Sequence, residues 1–264
     1  MINKENAYKY LKELLNLDRS ISGARFIETE EEYENLAIPE QKGTVCFIGR
    51  RALEGYHIKS NANSIVCDYG AYAIGAKKPD KSILNGESYA LCGLYSNKNI
   101  AKSVVDSMHY SEKEIYGIEI GPFSKVSNAD IVYIVCDTKQ AMRVFQGYTY
   151  YYGPAKNIGF IGNQAMCGDI LSKPLYNKDI NISLFCKGAR KYGAFGDGEL
   201  AISMPIEIFY NTAYGVFMTV DPVENPKDKV KLSKRLEVSG IKYEFDMQAS
   251  YGKVLDEYAK EIEN

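Results

Sequence analysis

The sequence lacks any apolar run that approaches the roughly 20 residues of a membrane-spanning helix. Its first segment, MINKENAYKYLKELL, is polar and has no apolar stretch of the kind a signal peptide needs. The chain has 32 Lys and Arg and 34 Asp and Glu, which gives a net charge of −2. It therefore lacks the excess of basic residues that usually accompanies binding to nucleic acid or an anionic membrane. These absences predict a cytoplasmic protein whose partners include neither nucleic acid nor membrane.

Two kinds of motif are also missing. The chain has no Walker pattern and no G-x-G-x-x-G, so nothing in it indicates a nucleotide site. It has no C-x-x-C either, the spacing of compact zinc knuckles. Cysteine itself is not scarce, because the chain has six. In a reducing cytosol these are expected to be thiols, core residues or metal ligands rather than disulfides.

The order of apolar and polar residues predicts a mixed α/β (α+β) fold. Ala129–Cys136 is apolar over its whole length, as in a strand buried on both faces. A helix over Asp137–Tyr150 should follow, with Asp137 as its cap. An amphipathic helix is expected over Asn3–Leu17. Other strand and helix signals alternate irregularly and in short pieces.

A chain of 264 residues is long enough for one large domain whose core needs no disulfide. We predict a single α/β domain over residues 1–215. Residues 216–264 then form a C-terminal extension that ends in a helix, Gln248–Ile262.

Two similar segments suggest an internal repeat. Ser64–Gly75 reads SIVCDYGAYAIG and Ser183–Glu199 reads SLFCKGARKYGAFGDGE, so each has Ser, two apolar residues, Cys and then Gly-Ala. In each, a strand is expected to end at the cysteine and a glycine-rich turn to follow. Each segment is also preceded by another cysteine: Cys46 lies 21 residues before Cys67, and Cys167 lies 19 residues before Cys186. Two related halves, 1–128 and 129–215, would place four cysteines around one site; a chance match of short Gly, Ala and Cys motifs is the alternative.

These four cysteines are the candidate metal ligands: Cys46, Cys67, Cys167 and Cys186. Four thiolates hold a [4Fe–4S] cluster or a tetrahedral zinc ion. Because the four are spread along the chain, the tertiary fold would have to bring them together. The alternative is that they are buried or redox-active thiols, since cysteine is among the most buried residue types.

The glycine-rich stretch after Cys186 supplies a second set of candidates, for ligand binding: Gly188, Arg190, Lys191, Asp197 and Glu199. The charged residues suit a carboxylate or phosphate of a small anionic ligand, or acid–base catalysis. The turn amides would form an anion-binding nest. Surface ion pairs and a turn that uses glycine only for its backbone freedom are the alternatives.

Several motifs in one order resemble the family called domain of unknown function 169, uncharacterised ArCR. Besides the early Cys46, they are Cys67–Gly75, Gln140–Arg143 (Gln-Ala-Met-Arg), Ala165–Asp169 (Ala-x-Cys-x-Asp) and Cys186–Lys191, which leads to Gly-Asp-x-Glu-Leu. The resemblance covers about residues 10–215. Family members often read Cys-Pro-Gly-Gly-Ala where this chain has Cys-Asp-Tyr-Gly-Ala. The family has no established reaction, so the resemblance implies the fold and the important positions only.

The leading interpretation is a cytoplasmic protein of this family that binds an iron–sulfur cluster or zinc through the four cysteines. Two other classes stay open. One is a metal-free enzyme or anion-binding protein that uses the glycine-rich turns, and the other is an interaction protein with structural cysteines. A redox partner and a homo-oligomer are compatible with the sequence, which does not say whether the protein is an enzyme.

Overall fold

The structure, a computed structural model, describes residues 1–107 and 114–251. The described helices, apart from a 3₁₀ turn at Ala7–Tyr10 and a π-helix at Ala165–Ser172, are α1 Leu11–Leu15, α2 Glu30–Asn35, α3 Val45–Leu53, α4 Asp68–Ala73, α5 Lys81–Leu84, α6 Glu87–Leu91, α7 Lys98–Ser107, α8 Thr138–Tyr152, α9 Lys173–Asn177, α10 Lys187–Gly193, α11 Ile206–Met218, α12 Val220–Val223 and α13 Pro226–Val238. The described strands are β1 Ser22–Ile27, β2 Ile58–Asn61, β3 Gly117–Pro122, β4 Ile131–Cys136, β5 Asn181–Ser183 and β6 Leu200–Pro205.

The predicted mixed α/β fold is confirmed by one antiparallel sheet that carries all of these strands. Their order is β2-β3-β1-β4-β6-β5, which puts β1 and β4 in the middle. Strand β4 is buried at every position, as its continuous apolar sequence predicts, and it pairs with β6 over six residues from Ile131 to Cys136. Helix α8 follows it directly. This strand and helix are the most accurate prediction made from the sequence.

Contacts divide the chain into two units. One comprises Met1–Asp18, Lys139–Lys156 and the residues from Glu207 onward, and the other comprises Arg19–Thr138 and Asn157–Ile206. The domain boundary predicted at residue 215 and the two pseudo-related halves stay predictions. Most of the helix predicted at Gln248–Ile262 lies outside the described residues, which end at 251.

The unit that contains the sheet has a core of buried apolar residues that joins the sheet to α3, α10 and the π-helix. Tyr133 and Val135 of β4 belong to this core together with Ile48 of α3 and Ile170 of the π-helix. The Tyr133 hydroxyl, fully buried, donates to the Gly49 carbonyl at 2.9 Å. The elements that carry Cys46 and Cys167 therefore pack against the sheet, and α10, which follows Cys186, packs against α3 in the same core.

Local capping explains why the segment that carries Cys46 is a helix. Thr44 is extended, and its hydroxyl accepts the Phe47 amide at 3.2 Å, which satisfies a free N–H of the first turn. Helix α3 then continues to Leu53, with Val45, Ile48 and Ala52 buried on one face. Val and Ile favour strands by intrinsic propensity. Tertiary packing overrides this preference here, because the helix buries Val45 and Ile48 together with Ala52.

The unit with the two chain ends is helical in its described part. The predicted Asn3–Leu17 helix is shorter than expected, because it consists of the 3₁₀ turn and α1 and ends at Asn16, whose φ is +55°. Its predicted apolar face is correct, since Leu11 and Leu14 are buried. Arg143 of α8 is also buried and pairs with Glu224 at 3.1 Å.

A search of the described helices for one long and apolar enough to cross a membrane finds none.

Candidate cysteine site

Four cysteines that lie far apart in sequence line one cavity in the structure. The cavity has a volume of about 300 Å³ and is walled by α3, α4, α10 and the π-helix. Cys46, Cys67, Cys167 and Cys186 all line it. The structure thus brings these four predicted residues to one cavity, and their binding of a metal stays a prediction.

Two of the four lie within the first turn of a helix. Cys46 is the second residue of α3, and Cys167 is the third residue of the π-helix. The π-helix and α3 are in close contact, because Met166 lies against the backbone of Gly49. Eight residues of π-helix is an unusual length, and π-helical turns occur often at functional sites.

The other two cysteines each lie immediately before a helix. Cys67 is the N-cap of α4 and Cys186 is the N-cap of α10, where its Sγ accepts the Ala189 amide at 3.4 Å. Both segments continue as helices, so the glycine-rich turn predicted after Cys186 is wrong, whereas Gly70–Gly75, compatible with a helix or a turn in sequence, contributes to α4. The predicted strand before Cys186 is also too long, since β5 ends at Ser183. At Cys186 the cap bond satisfies a first-turn amide, after which Ala, Arg and Lys favour a helix over an open turn; the Cys67 side chain makes no such bond.

The thiols affect one another electrostatically. Burial first, and then the neighbouring Cys186 and Cys67, raise the pKa of Cys46 to about 12. Burial and the other three thiols raise the pKa of Cys167 well above its ordinary value. Cys46 and Cys167 are thus harder to ionise, first because they are buried and then because other thiols lie near them. A cation at the centre would reverse this effect and stabilise the thiolates.

A preformed metal site is absent from the described residues. Across residues 1–107 and 114–251, no group of three or more His, Cys, Asp or Glu side chains is arranged to hold a metal ion. Zinc bonds to sulfur at about 2.3 Å, so a zinc site would bring its sulfurs within about 4 Å of one another.

A buried carboxylic acid lies close to Cys167 in sequence. Asp169 is 4% exposed, and burial raises its pKa to about 7. The Ser183 hydroxyl donates to its Oδ2 at 2.8 Å, and the Asn181 amide donates to its carbonyl oxygen at 2.8 Å. These bonds attach the π-helix to β5, the strand that leads to Cys186.

Of the five predicted ligand-binding residues, Gly188 lines the cavity. Arg190 donates to the carbonyls of Gly196 and Leu184, the latter at 2.9 Å, so its guanidinium holds the ends of the loop around α10. Lys191 is exposed, with its Nζ 5.2 Å from the centre of the Tyr192 ring. Asp197 is exposed and lies 3.6 Å from Arg190.

Glu199, the fifth, forms an ion pair. Arg19 donates to its two carboxylate oxygens at 2.5 and 2.9 Å, and the Gly196 amide donates at 2.6 Å. Burial acts to raise the pKa of Glu199, but these bonds outweigh it and hold the pKa below its ordinary value. Arg190 and Glu199 thus have structural roles in the described residues. Their binding of a ligand stays a prediction.

Helix α10 approaches α3 closely through Gly193. A Cβ on Gly193 would lie 3.1 Å from the Cys46 carbonyl oxygen and 2.7 Å from Cδ2 of Phe195. The Phe195 ring is itself fixed, because it stacks on Phe185 with ring centres 4.0 Å apart. Alanine at Gly193 would therefore push Cys186 and Cys46 apart.

We expect Gly193→Ala to lower the free energy of unfolding by about 1–3 kcal/mol, the usual cost of an extra methyl group in a packed core. Gly198→Ala is the matched control, because a Cβ on Gly198 has nothing within 4 Å. Urea unfolding of the two variants measures the difference. Equal stability of the two would mean that the contact between α10 and α3 is looser than the structure has it.

Sequence reasoning missed several residues that line the cavity. Tyr69, Tyr89, Cys92, Gln164 and Tyr192 contribute to the same wall as the four cysteines. Gln164 immediately precedes the Ala-x-Cys-x-Asp motif, which was the one local signal for it. The aromatic residues had none, because tyrosine is abundant along the whole chain.

Comparisons with known proteins agree with the motifs. The model of the family described as uncharacterised ArCR, domain of unknown function 169, matches residues 10–215. An uncharacterised protein of Methanocaldococcus jannaschii is 29% identical over 210 residues, which cover 77% of this chain and 89% of that relative. No solved structure matches. The chain belongs to the uncharacterised ArCR family, domain of unknown function 169.

Proposed function

We propose that this protein holds a [4Fe–4S] cluster in the cysteine cavity, with Cys46, Cys67, Cys167 and Cys186 as its ligands. The observation that carries the proposal is that these four cysteines, separated by up to 140 residues of chain, line a single cavity, whose wall also includes a fifth cysteine, the exposed Cys92. Four cysteine thiolates are the usual ligand set of such a cluster. Cysteines that only fill a core have no reason to meet at the wall of a cavity.

The absence of a compact ligand group from the described residues favours a cluster over a single zinc ion. A cubane has an iron at each of four corners, so its thiolates stand farther apart than the ligands of one ion. The thiols line a cavity of about 300 Å³, and the described residues offer no compact group for one ion. Zinc, the other metal considered from the sequence, would require the four elements to close around one point.

The surroundings of the thiols suit a cluster as well. The cavity wall is mostly apolar, and none of its described lining residues is charged. A cluster with four thiolates is negatively charged. An uncharged wall with backbone amides therefore suits it better than a wall of carboxylates would. Cys186 already accepts the Ala189 amide, and hydrogen bonds of this kind to the sulfurs tune the potential of a cluster.

The cluster would supply one-electron transfer. The chain's own part is to hold four thiolates, to limit the access of water and to present the cavity mouth to a redox partner. Glu199 and Arg190 take no part in this proposal beyond fixing the loop around α10, because their described contacts are with Arg19 and with backbone carbonyls.

The test is metal analysis of the full chain purified without oxygen. We expect brown protein with broad visible absorption that bleaches on reduction, and about four iron and four sulfide per chain. Colourless protein with one zinc per chain would replace the cluster with zinc. Colourless, metal-free protein that takes up no iron and sulfide during anaerobic reconstitution would overturn both.

A further inference from the structure

The cysteine cavity contains a buried amide that the cluster does not use. Gln164 is 6% exposed and lines the cavity, and its Nε2 donates to the Tyr89 hydroxyl. Its Oε1 is buried and has no hydrogen-bond partner among the residues that the structure describes. A buried acceptor without a donor costs about 1–3 kcal/mol. A donor from outside the described chain, a ligand or a water molecule, would satisfy this oxygen.

The backbone holds Gln164 in this position against its preference. Its φ and ψ are +50° and +41°, the left-handed region that residues with a Cβ rarely adopt, and the π-helix begins at the next residue. Residues kept in such conformations cluster at ligand-binding positions, where the surrounding structure compensates for the strain. The strained backbone and the unpaired oxygen are separate observations on one residue.

The rest of the wall indicates what kind of molecule supplies the donor. Tyr69 and Tyr192 offer aromatic surface and Leu94 adds apolar surface. Tyr192 and Leu94 are 50% and 60% exposed, so they lie at the mouth of the cavity. Because no described lining residue is charged, the wall offers no counter-charge to an ionic ligand. A flat, uncharged molecule fits such a wall.

We propose that the cavity binds a small uncharged ring compound of the lactam type, whose N–H donates to Oε1 of Gln164. The tyrosine rings at the mouth contact the flat face of the ligand, and the amide selects for the N–H. This inference goes beyond cluster binding and does not depend on it, because Gln164 and the aromatic wall are present whichever group the thiols hold.

The test uses the full chain and two probe pairs, uracil with 1,3-dimethyluracil and 2-pyridone with N-methyl-2-pyridone. Saturation-transfer NMR detects such weak binding. We expect the N–H compounds to bind with Kd of about 1 mM, which is within reach of ligands of this size. The N-methylated partners should bind at least about tenfold more weakly, because they leave Oε1 unpaired.

Gln164→Met keeps the length of the side chain and removes the amide, so it should abolish the preference for the N–H compounds. Gln41→Met is the control, since the Gln41 side chain donates to the Lys42 carbonyl and is not among the residues lining the cavity. Thermal unfolding should find both variants folded. Failure of both N–H probes to bind, equal binding of the N-methylated partners, or an unchanged preference in Gln164→Met would each overturn the proposal.

The same measurement on protein with and without visible absorption separates the two proposals. Protein that stays colourless and metal-free after anaerobic reconstitution, and still binds the N–H probes, would refute the cluster and leave the lactam site standing. Brown protein that ignores them would do the reverse.

Discussion

Alanine in place of Cys167 is expected to remove the visible absorption of protein purified without oxygen, and to reduce bound iron from about four per chain to close to zero. Cys167 is 5% exposed, and the other three thiols act on its pKa, so its loss would leave the proposed cluster with three ligands in an apolar cavity. The same loss is expected for Cys46, Cys67 and Cys186. Iron and sulfide analysis beside the absorption spectrum measures it.

Two other cysteines provide matched controls. Cys136→Ala changes a buried cysteine of β4 that is not among the residues lining the cavity. Cys92→Ala changes an exposed cysteine that does line the cavity and whose Sγ donates a hydrogen bond to the Ser88 carbonyl. Both variants should keep their iron. Loss of iron in Cys92→Ala, with retention in any one of the four proposed ligands, would show that the ligand set is wrong.

Lys229→Ala is expected to lower the free energy of unfolding by about 2–4 kcal/mol. Lys229 of α13 is fully buried, and its Nζ donates to the carbonyls of Asp246 and Ala249 at 2.5 and 2.6 Å. Asp221 lies 3.7 Å away. Alanine leaves both carbonyls without their donor and opens a cavity. Urea unfolding gives the loss, and hydrogen exchange should increase over residues 241–249.

Lys227→Ala is the control for this change. Lys227 lies on the same helix but is exposed, so its loss should alter the free energy of unfolding by less than about 0.5 kcal/mol. If the two variants unfold alike, the buried bonds of Lys229 contribute less than their geometry indicates. All of these residues lie beyond residue 215, where the family match ends.

The fold could be predicted where a local pattern was decisive. Strand β4 and helix α8 were found because one is apolar at every position and the other begins after Asp137. The sequence around Cys186 misled, because glycine is equally compatible with a turn and with the first turn of a capped helix. The side chain of Cys186 accepts the Ala189 amide, and that bond decides for the helix.

The candidate site was half predictable for the same reason. Four cysteines were recognisable because two segments share a pattern and a family has motifs there. Gln164 was not, because its role depends on a buried oxygen and a left-handed backbone that no local pattern records. The charges of Arg190 and Glu199 predict ligand binding from the sequence. The sequence does not reveal the ion pair of Glu199, because its partner Arg19 is 180 residues away in the chain.

The order in which the four cysteines occur has a consequence for biosynthesis. Cys46 and Cys67 are synthesised 121 and 100 residues before Cys167. At about 5–20 residues per second, the nascent chain carries half of the proposed site for roughly 5–20 s before the π-helix and α10 exist. A cluster delivered during this interval would meet two thiols instead of four, so productive loading would have to follow the synthesis of Cys186.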